Sequence, residues 1–327
     1  MNIKRNINPK EICDQIKKGN ITALSKAITL SESNIDSDQE LANKILAKLK
    51  TKNNDSIRIG ITGVPGAGKS TFIESFGNHI TNLGLKLAVL TIDPSSSVTK
   101  GSILGDKTRM ETLSANKNVF IRPSPASNFQ GGVGKNTRES IFLCESAGYD
   151  IILIETVGVG QNEISVAEMV DFFLLLKISG SGDELQGIKR GIIEMSDLIA
   201  INKCDGDNVK DSIKAKNEFK LALQLFPKKK SNWKPQVLTC SSLTGDGLAE
   251  IWECITKYVN LTKKNNYFYE NRINQNKSWL LQIIDYSLRK SFFNRKSIKI
   301  KLNNLIKKIE EQKISIFEAS RKILSEI

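Results

Sequence analysis

Apolar residues early in the chain recur at helical spacing: Ile12 and Ile16, then Leu24, Ala27 and Ile28, then Leu41, Ile45 and Leu49. Such a face predicts amphipathic helices. They are interrupted at Gly19-Asn20 and across the polar stretch 31–38. From Ser56 the pattern changes to short uninterrupted apolar runs at 57–62, 87–92, 151–154, 172–178, 198–201 and 237–240. Strands buried on both faces read this way, and helix-length segments alternate with them. The expected architecture is therefore α/β, a doubly wound and mostly parallel sheet with functional loops at the carboxyl ends of its strands. Beyond about Trp252 the strands stop, and helical spacing returns at Leu280, Leu281, Ile284, Leu288, Leu302, Leu305, Ile306, Ile309 and Ile323. Three segments follow: a helical extension (1–52), a sheet domain (53–260) and a helical tail (261–327).

Composition fits that reading. The 327 residues are 39% hydrophobic and 25% charged, enough to bury a sizeable core rather than remain disordered. The net charge of +13 raises the question of an anionic partner. Fifteen basic against six acidic residues lie from Leu261 onward, so most of the surplus sits in the tail. That tail lacks an aromatic stacking platform, and nucleic acid is not the expected partner. Five scattered cysteines without a CxxC pair, and the single His79, argue against a zinc or nickel-type ligand cluster and fit a reducing compartment. The basic start meets polar Glu11 and Asp14 before any apolar core of a signal segment, and the longest apolar run, 171–177, is far too short to span a membrane. A soluble, cytoplasmic protein is expected, with no membrane association.

The chemistry concentrates in loops after the expected strands. Gly63-Val64-Pro65-Gly66-Ala67-Gly68-Lys69-Ser70 fits GxxxxGK[ST], with Thr71 opening the next helix. Glycines there let backbone N–H groups curl around phosphate oxygens, Lys69 brings a point charge, and the Ser70 hydroxyl suits Mg²⁺. A second cluster, Gly131-Gly132-Val133-Gly134-Lys135, lacks the first required glycine, at Phe129, and carries Asn136 in place of Ser or Thr. It is expected to be a flexible loop leading into a helix. Asn202-Lys203-Cys204-Asp205 closes an apolar run and has the form of a guanine-reading NKxD motif. The Asp205 carboxylate can accept from guanine N1–H and the exocyclic amine, a donor pair adenine does not present. Ser241, Ser242 and Leu243, at the next strand end, are placed to complete the base pocket with backbone N–H groups. Hard-oxygen candidates for the metal are Asp93, Asp106 and Glu155, with Asp183 in a further loop, although each alone is also a plausible helix cap or turn former. Gly158 can offer its N–H to the γ-phosphate.

These motifs together resemble the SIMIBI-class P-loop GTPase family of methylmalonyl-CoA mutase-associated chaperones, also called LAO/AO transport-system ATPases or kinases. The similarity runs through 24–30, the phosphate loop to Thr71, Asp93-Pro94-Ser95-Ser96, 101–110, 155–161, 182–189, the NKxD motif and the Trp279-containing tail. The resemblance implies a GTPase that docks on an adenosylcobalamin-dependent acyl-CoA mutase, gates loading of that partner's cofactor and protects it. It implies switch roles for the loops of Asp106 and Glu155, a third switch at Asp183, Gln186 and Lys189, and a homodimer built through the tail. Mg²⁺ is the only ion expected at the site, held by Ser70, Asp93, Asp106 and Glu155, with hydrolysis by positioning and electrostatics around Lys69. Gln161 or Gln186 orients water, and Lys189 or Arg109 supplies late positive charge. The alternatives are a protein kinase linked to basic amino-acid transport and a metallochaperone GTPase.

Overall fold

The computed structural model describes residues 8–49, 55–93, 110–125, 132–156, 162–180 and 190–325. They form two compact units, 1–275 and 276–327, each described by itself. In the first unit three helices, α1 (Pro9–Lys17), α2 (Ile21–Glu32) and α3 (Asp36–Lys48), precede strand β1 (Ile57–Gly63). There follow α4 (Lys69–Asn82), β2 (Leu87–Asp93), α5 (Glu111–Ser114), β3 (Val119–Pro125), α6 (Gly132–Ser146), β4 (Ile151–Glu155) and α7 (Asn162–Ala167). The sheet half ends with β5 (Phe172–Ile178), α8 (Arg190–Met195), β6 (Leu198–Asn202), α9 (Val209–Gln224), β7 (Gln236–Thr239) and α10 (Leu248–Lys264). Helix α11 (Tyr267–Asn294) gives its residues through Gln275 to the first unit and the rest to the second, which also holds α12 (Lys296–Glu310) and α13 (Ile316–Leu324).

The seven strands are all parallel, in the order β3-β2-β4-β1-β5-β6-β7. Burial on both faces explains the uninterrupted apolar runs. Along β2 and β4, Leu87, Val89, Ile151 and Leu153 join one core with Phe72, Phe76, Ile251 and Ile255 of α4 and α10. The alternate residues Ala88, Leu90, Ile152 and Ile154 join another with Ile16, Leu24, Ile28 and Ile45 of the first three helices. A period of two along each strand assigns successive side chains to opposite faces. The N-terminal helices are thus the cover of one sheet face, and Glu32 of α2 also pairs with Arg122 of β3 and accepts from Ser124 Oγ at 2.7 Å.

Strand β3 is the seventh, where the apolar pattern predicts six. Its sequence, Val119-Phe120-Ile121-Arg122-Pro123-Ser124-Pro125, carries two prolines that interrupt the strand signal. It lies at the sheet edge, beside β2 alone, where missing N–H donors are tolerated. The glycine-rich stretch expected as a loop is likewise different: helix α6 already begins at Gly132. Packing of its later turns, through Ile141, Leu143 and Cys144, onto the sheet sustains the helix across residues of poor intrinsic propensity.

At the amino-terminal edge of the sheet a buried ionic network ties β1 to α6 and α11. Arg272 donates to both carboxylate oxygens of Asp171, at 2.8 and 2.6 Å. Asp171 Oδ2 also accepts from the Arg58 backbone N–H at 2.8 Å, and the Arg58 guanidinium grips Glu145 at 2.7 and 2.9 Å. Burial lowers the Arg272 pKa, but the carboxylates of Asp171 and Glu145 outweigh it and leave the group above its ordinary value. In the second unit Ile298, Leu305, Ala319 and Ile323 form a small core of their own. No described helix is long and apolar enough to cross a membrane.

Candidate functional site

The carboxyl ends of β1, β4, β6 and β7 bring the chemistry-bearing loops to one edge of the sheet, beside the strand-order reversal around β1. The chain leaves β1 at Gly63, where a Cβ would sit 2.4 Å from the Leu176 carbonyl oxygen of β5, so only glycine lets the two strands close here. It then passes Val64, Pro65, Gly66 and Ala67 and enters α4 through Gly68 in the left-handed region (φ 83°). A Cβ on Gly68 would also lie 2.9 Å from Asn202 Nδ2. The free N–H groups of the first turn of α4, which holds Lys69, Ser70 and Thr71, give the helix its affinity for anions.

Lys69 Nζ folds back over this turn and donates to the Gly63 carbonyl at 2.9 Å and more weakly to that of Val64 at 3.4 Å. Burial pushes its pKa below the ordinary lysine value, while the carboxylates of Glu155 and Glu163 pull in the opposite direction. A desolvated ammonium with little local compensation is a receptor for phosphate charge. Glu155 ends β4, buried, in register with Ile61 of β1 and Thr91 of β2. The next residue, Thr156, donates its hydroxyl to Thr62 Oγ1 at 2.8 Å, tying the end of this stretch to β1. Asp93 ends β2, in register with Pro125. Asp106, Arg109, Gly158, Gln161, Asp183, Gln186 and Lys189 lie outside the described residues.

The guanine motif is joined to the phosphate loop by hydrogen bonds. Asn202 donates through Nδ2 to the Ala67 carbonyl at 2.9 Å, and its Oδ1 accepts from the Ser242 N–H at 3.0 Å and the Ser242 hydroxyl at 2.8 Å. Lys203 adopts the left-handed conformation (φ 59°), and Cys204 N–H bonds the Cys240 carbonyl at 3.0 Å, pinning the turn to the residue that follows β7. The Asp205 carboxylate accepts from the Ser241 hydroxyl, whose oxygen in turn accepts from the N–H groups of Leu243 at 3.2 Å and Thr244 at 3.1 Å. Ser75 of α4 closes the circuit by donating to the Ser242 carbonyl at 2.6 Å. The arrangement ties the Asn202–Asp205 turn, the 241–244 turn and the 63–70 loop to one another.

Two residues absent from the sequence reading emerge here. Glu163, 1% exposed, acts electrostatically on Lys69, and Ser75 couples α4 to the base loop. For Glu163 the available signal was its place just beyond the Gln161 loop. Ser75 carried none, since nothing in its own helix points to β7.

The oxygen donors fit a hard divalent cation: Ser70 on the first turn of α4 and Glu155 at the end of β4 flank the Lys69 cradle. Among the described residues no three His, Cys, Asp or Glu side chains are grouped to hold a metal by themselves. An ion here would share phosphate and water oxygens, which is how Mg²⁺ is ordinarily held.

Residues 24–297 match the family model described as methylmalonyl-CoA mutase-associated GTPase MeaB. The chain is 46% identical over 266 residues to the GTPase ArgK of Escherichia coli K12, covering 81% of this chain and 80% of that one. It is 43% identical over 302 residues to the mitochondrial methylmalonic aciduria type A homolog of Mus musculus, covering 89% and 73%. A crystal structure of an LAO/AO transport system kinase superposes with a TM-score of 0.74 at 33% identity, covering 98% of both chains.

Proposed function

The chain belongs to the methylmalonyl-CoA mutase-associated GTPase family, and on that premise we propose that this P-loop GTPase serves an adenosylcobalamin-dependent acyl-CoA mutase, gating cofactor loading and protecting the enzyme. The observation that carries the nucleotide part is the Asn202 bridge between the Ala67 carbonyl and Ser242, which ties the phosphate loop to the guanine motif. In this reading the N–H groups of 63–71 wrap the phosphates, Lys69 turns from the Gly63 carbonyl to the β- and γ-phosphates, and Asp205 reads guanine with Asn202, Lys203 and the 241–243 loop. Ser70, Asp93, Asp106 and Glu155 hold Mg²⁺ directly or through water. The ion, when bound, neutralises charge developing on the phosphate oxygens. Glu155 and Thr156 are fixed to β1 two residues before Gly158, which is assigned a contact to the γ-phosphate.

Asp106, Asp183, Gln186 and Lys189 are assigned to segments that respond to the mutase. Hydrolysis is slow alone and faster in the complex, because docking supplies the missing positioning. The tail is assigned to a homodimer, in the cytoplasm. Supporting the dimer, Leu281, Ile284 and Leu288 of α11 share one face and are 67%, 45% and 63% exposed.

Single-turnover hydrolysis of GTP, with and without an adenosylcobalamin-dependent acyl-CoA mutase, tests the reading. Acceleration by the mutase is expected, and equal rates would overturn it. The name of the LAO/AO kinase neighbour favours a second reading, phosphate transfer to a protein. Labelled phosphate on a protein acceptor, rather than free in solution, would establish that instead.

A further inference from the structure

Far from the nucleotide loops, beside the amino-terminal end of β7, the first unit contains a cavity of about 630 Å³ walled by the end of α9, the 226–236 loop and Glu194 of α8. Phe226 and Trp233 give it an apolar lining. Trp233 is fixed, since its Nε1 donates to the Asp197 carbonyl at 2.9 Å and its ring meets Tyr258 edge-on at 5.4 Å. Lys229 is also committed, to Asp197 Oδ1 at 2.6 Å and the Met195 carbonyl at 2.7 Å. Lys229 is thus held against Asp197, whose pKa burial raises while Lys229 opposes that shift.

Lys220, Lys228 and Lys234 are different. All three line the cavity and are exposed, and among the described residues none has a carboxylate partner. Among the described residues Glu194 is the single acidic residue of the lining. Three flexible point charges around an apolar floor suit a tetrahedral dianion better than a planar carboxylate, which arginine matches. The volume lies within the range of sites that enclose a small molecule, about 300–1,000 Å³. A single peptide side chain would leave most of it empty.

We propose that this cavity is a second ligand site, for a small organic phosphate with a flat apolar body, its ring against Trp233 and Phe226 and its phosphate among Lys220, Lys228 and Lys234. The assignment goes beyond the GTPase reading and does not depend on a mutase.

The test is calorimetric titration of 1-naphthyl phosphate into the full-length protein loaded with GDP and Mg²⁺, so that the nucleotide loops are filled. One saturable site is expected, with inorganic phosphate weaker. The K228Q/K234Q variant should bind roughly tenfold more weakly or worse. The K307Q/K308Q variant, which removes equal charge from exposed positions on α12, should bind as the parent does. No saturable binding, equal affinity in K228Q/K234Q, or equal binding of 1-naphthol would each overturn the proposal. Binding of a hexaglutamate peptide but not of the naphthyl ester would overturn it in favour of an acidic protein segment.

Discussion

The side-chain amide of Asn202 donates to the carbonyl of Ala67 at 2.9 Å, across a sequence separation of 135 residues. This bond links the 63–70 loop to the NKxD motif, and the Ser242 contacts on the other end of the same amide extend the link to the turn after β7. Gly68 is required by the same geometry, because a Cβ there would press on Asn202 Nδ2 at 2.9 Å.

Asn202→Ala leaves the Ala67 carbonyl and two Ser242 donors without their buried partner. A loss of about 3 kcal/mol in folding stability is expected, since an orphaned buried polar group costs about 1–3 kcal/mol. Affinity for GDP should fall with it. Urea unfolding and titration with a fluorescent GDP analogue check the two effects separately.

Asp205→Asn should exchange base preference. The amide can donate to the 2-oxo group of xanthine but no longer accepts from both guanine donors, and a charge-assisted bond is worth roughly 1.5–3 kcal/mol, or one to two decades of affinity. Ser241, which donates to this carboxylate, can donate to the amide oxygen as well and keeps the side chain in place. Competition between GTP and XTP for the variant is the measurement. Unchanged guanine preference would remove Asp205 from the base site.

Lys69 gives the site a pH dependence whose sign follows from burial. Its pKa is below the ordinary lysine value in the free protein, and phosphate charge beside it raises that pKa again. Between the two values nucleotide binding takes up a proton, so affinity falls as pH rises. The contribution to folding has the opposite sign: the unfolded chain binds more protons in that window, so stability rises with pH through the lowered pKa toward the ordinary one. Guanine N1 also loses its proton at alkaline pH and adds a slope of its own. The difference in slope between parent and Lys69→Met, from GDP affinities measured upward from neutral pH, isolates the lysine, and parallel slopes would contradict the assignment.

How much of this was legible beforehand depended on whether a signal was local. The phosphate loop and NKxD motif are contiguous strings, and their placement at strand ends followed from the apolar runs that precede them. Strand β3 was hidden because Pro123 and Pro125 contradict the strand pattern, and only its edge position makes them tolerable. The role of the N-terminal helices was half visible: spacing marks them as amphipathic, but nothing local says that Leu24 and Ile28 cover Leu90 and Ile154. Ser75 was not visible and Glu163 only through its place just beyond Gln161, since each acts through a residue distant in sequence or on another element. The same holds for Asp171 and Arg272, whose pairing joins β5 to a helix expected to belong wholly to the tail.

That pair is a stability determinant. Their side chains are 2% and 9% exposed, and each satisfies further partners, the Arg58 N–H on one side and the Ser56 carbonyl on the other. Arg272→Ala strands a buried carboxylate and is expected to cost about 3–5 kcal/mol. The double variant Asp171→Ala/Arg272→Ala should be less damaging than the sum of the two single changes, because no unpaired charge remains. A double-mutant cycle in urea measures the coupling, and additive single effects would show that the pair is not an energetic unit.

The last expectation concerns the dimer assigned to the tail. Leu281 and Leu288 are seven residues apart on α11 and so lie on one side of the helix, both well exposed. Neither contributes to the small core of the second unit, so Leu281→Asp/Leu288→Asp should leave that unit folded. If a second copy covers this face, a symmetric pair loses four leucines at about 1.5 kcal/mol each, roughly four decades in dimer affinity, before the repulsion of the new carboxylates is counted. Sedimentation at micromolar concentration should then show a monomer in place of a dimer, while intrinsic GTP hydrolysis, which uses loops of the first unit, stays unchanged. A double variant that still sediments as a dimer would move the interface away from this face of α11.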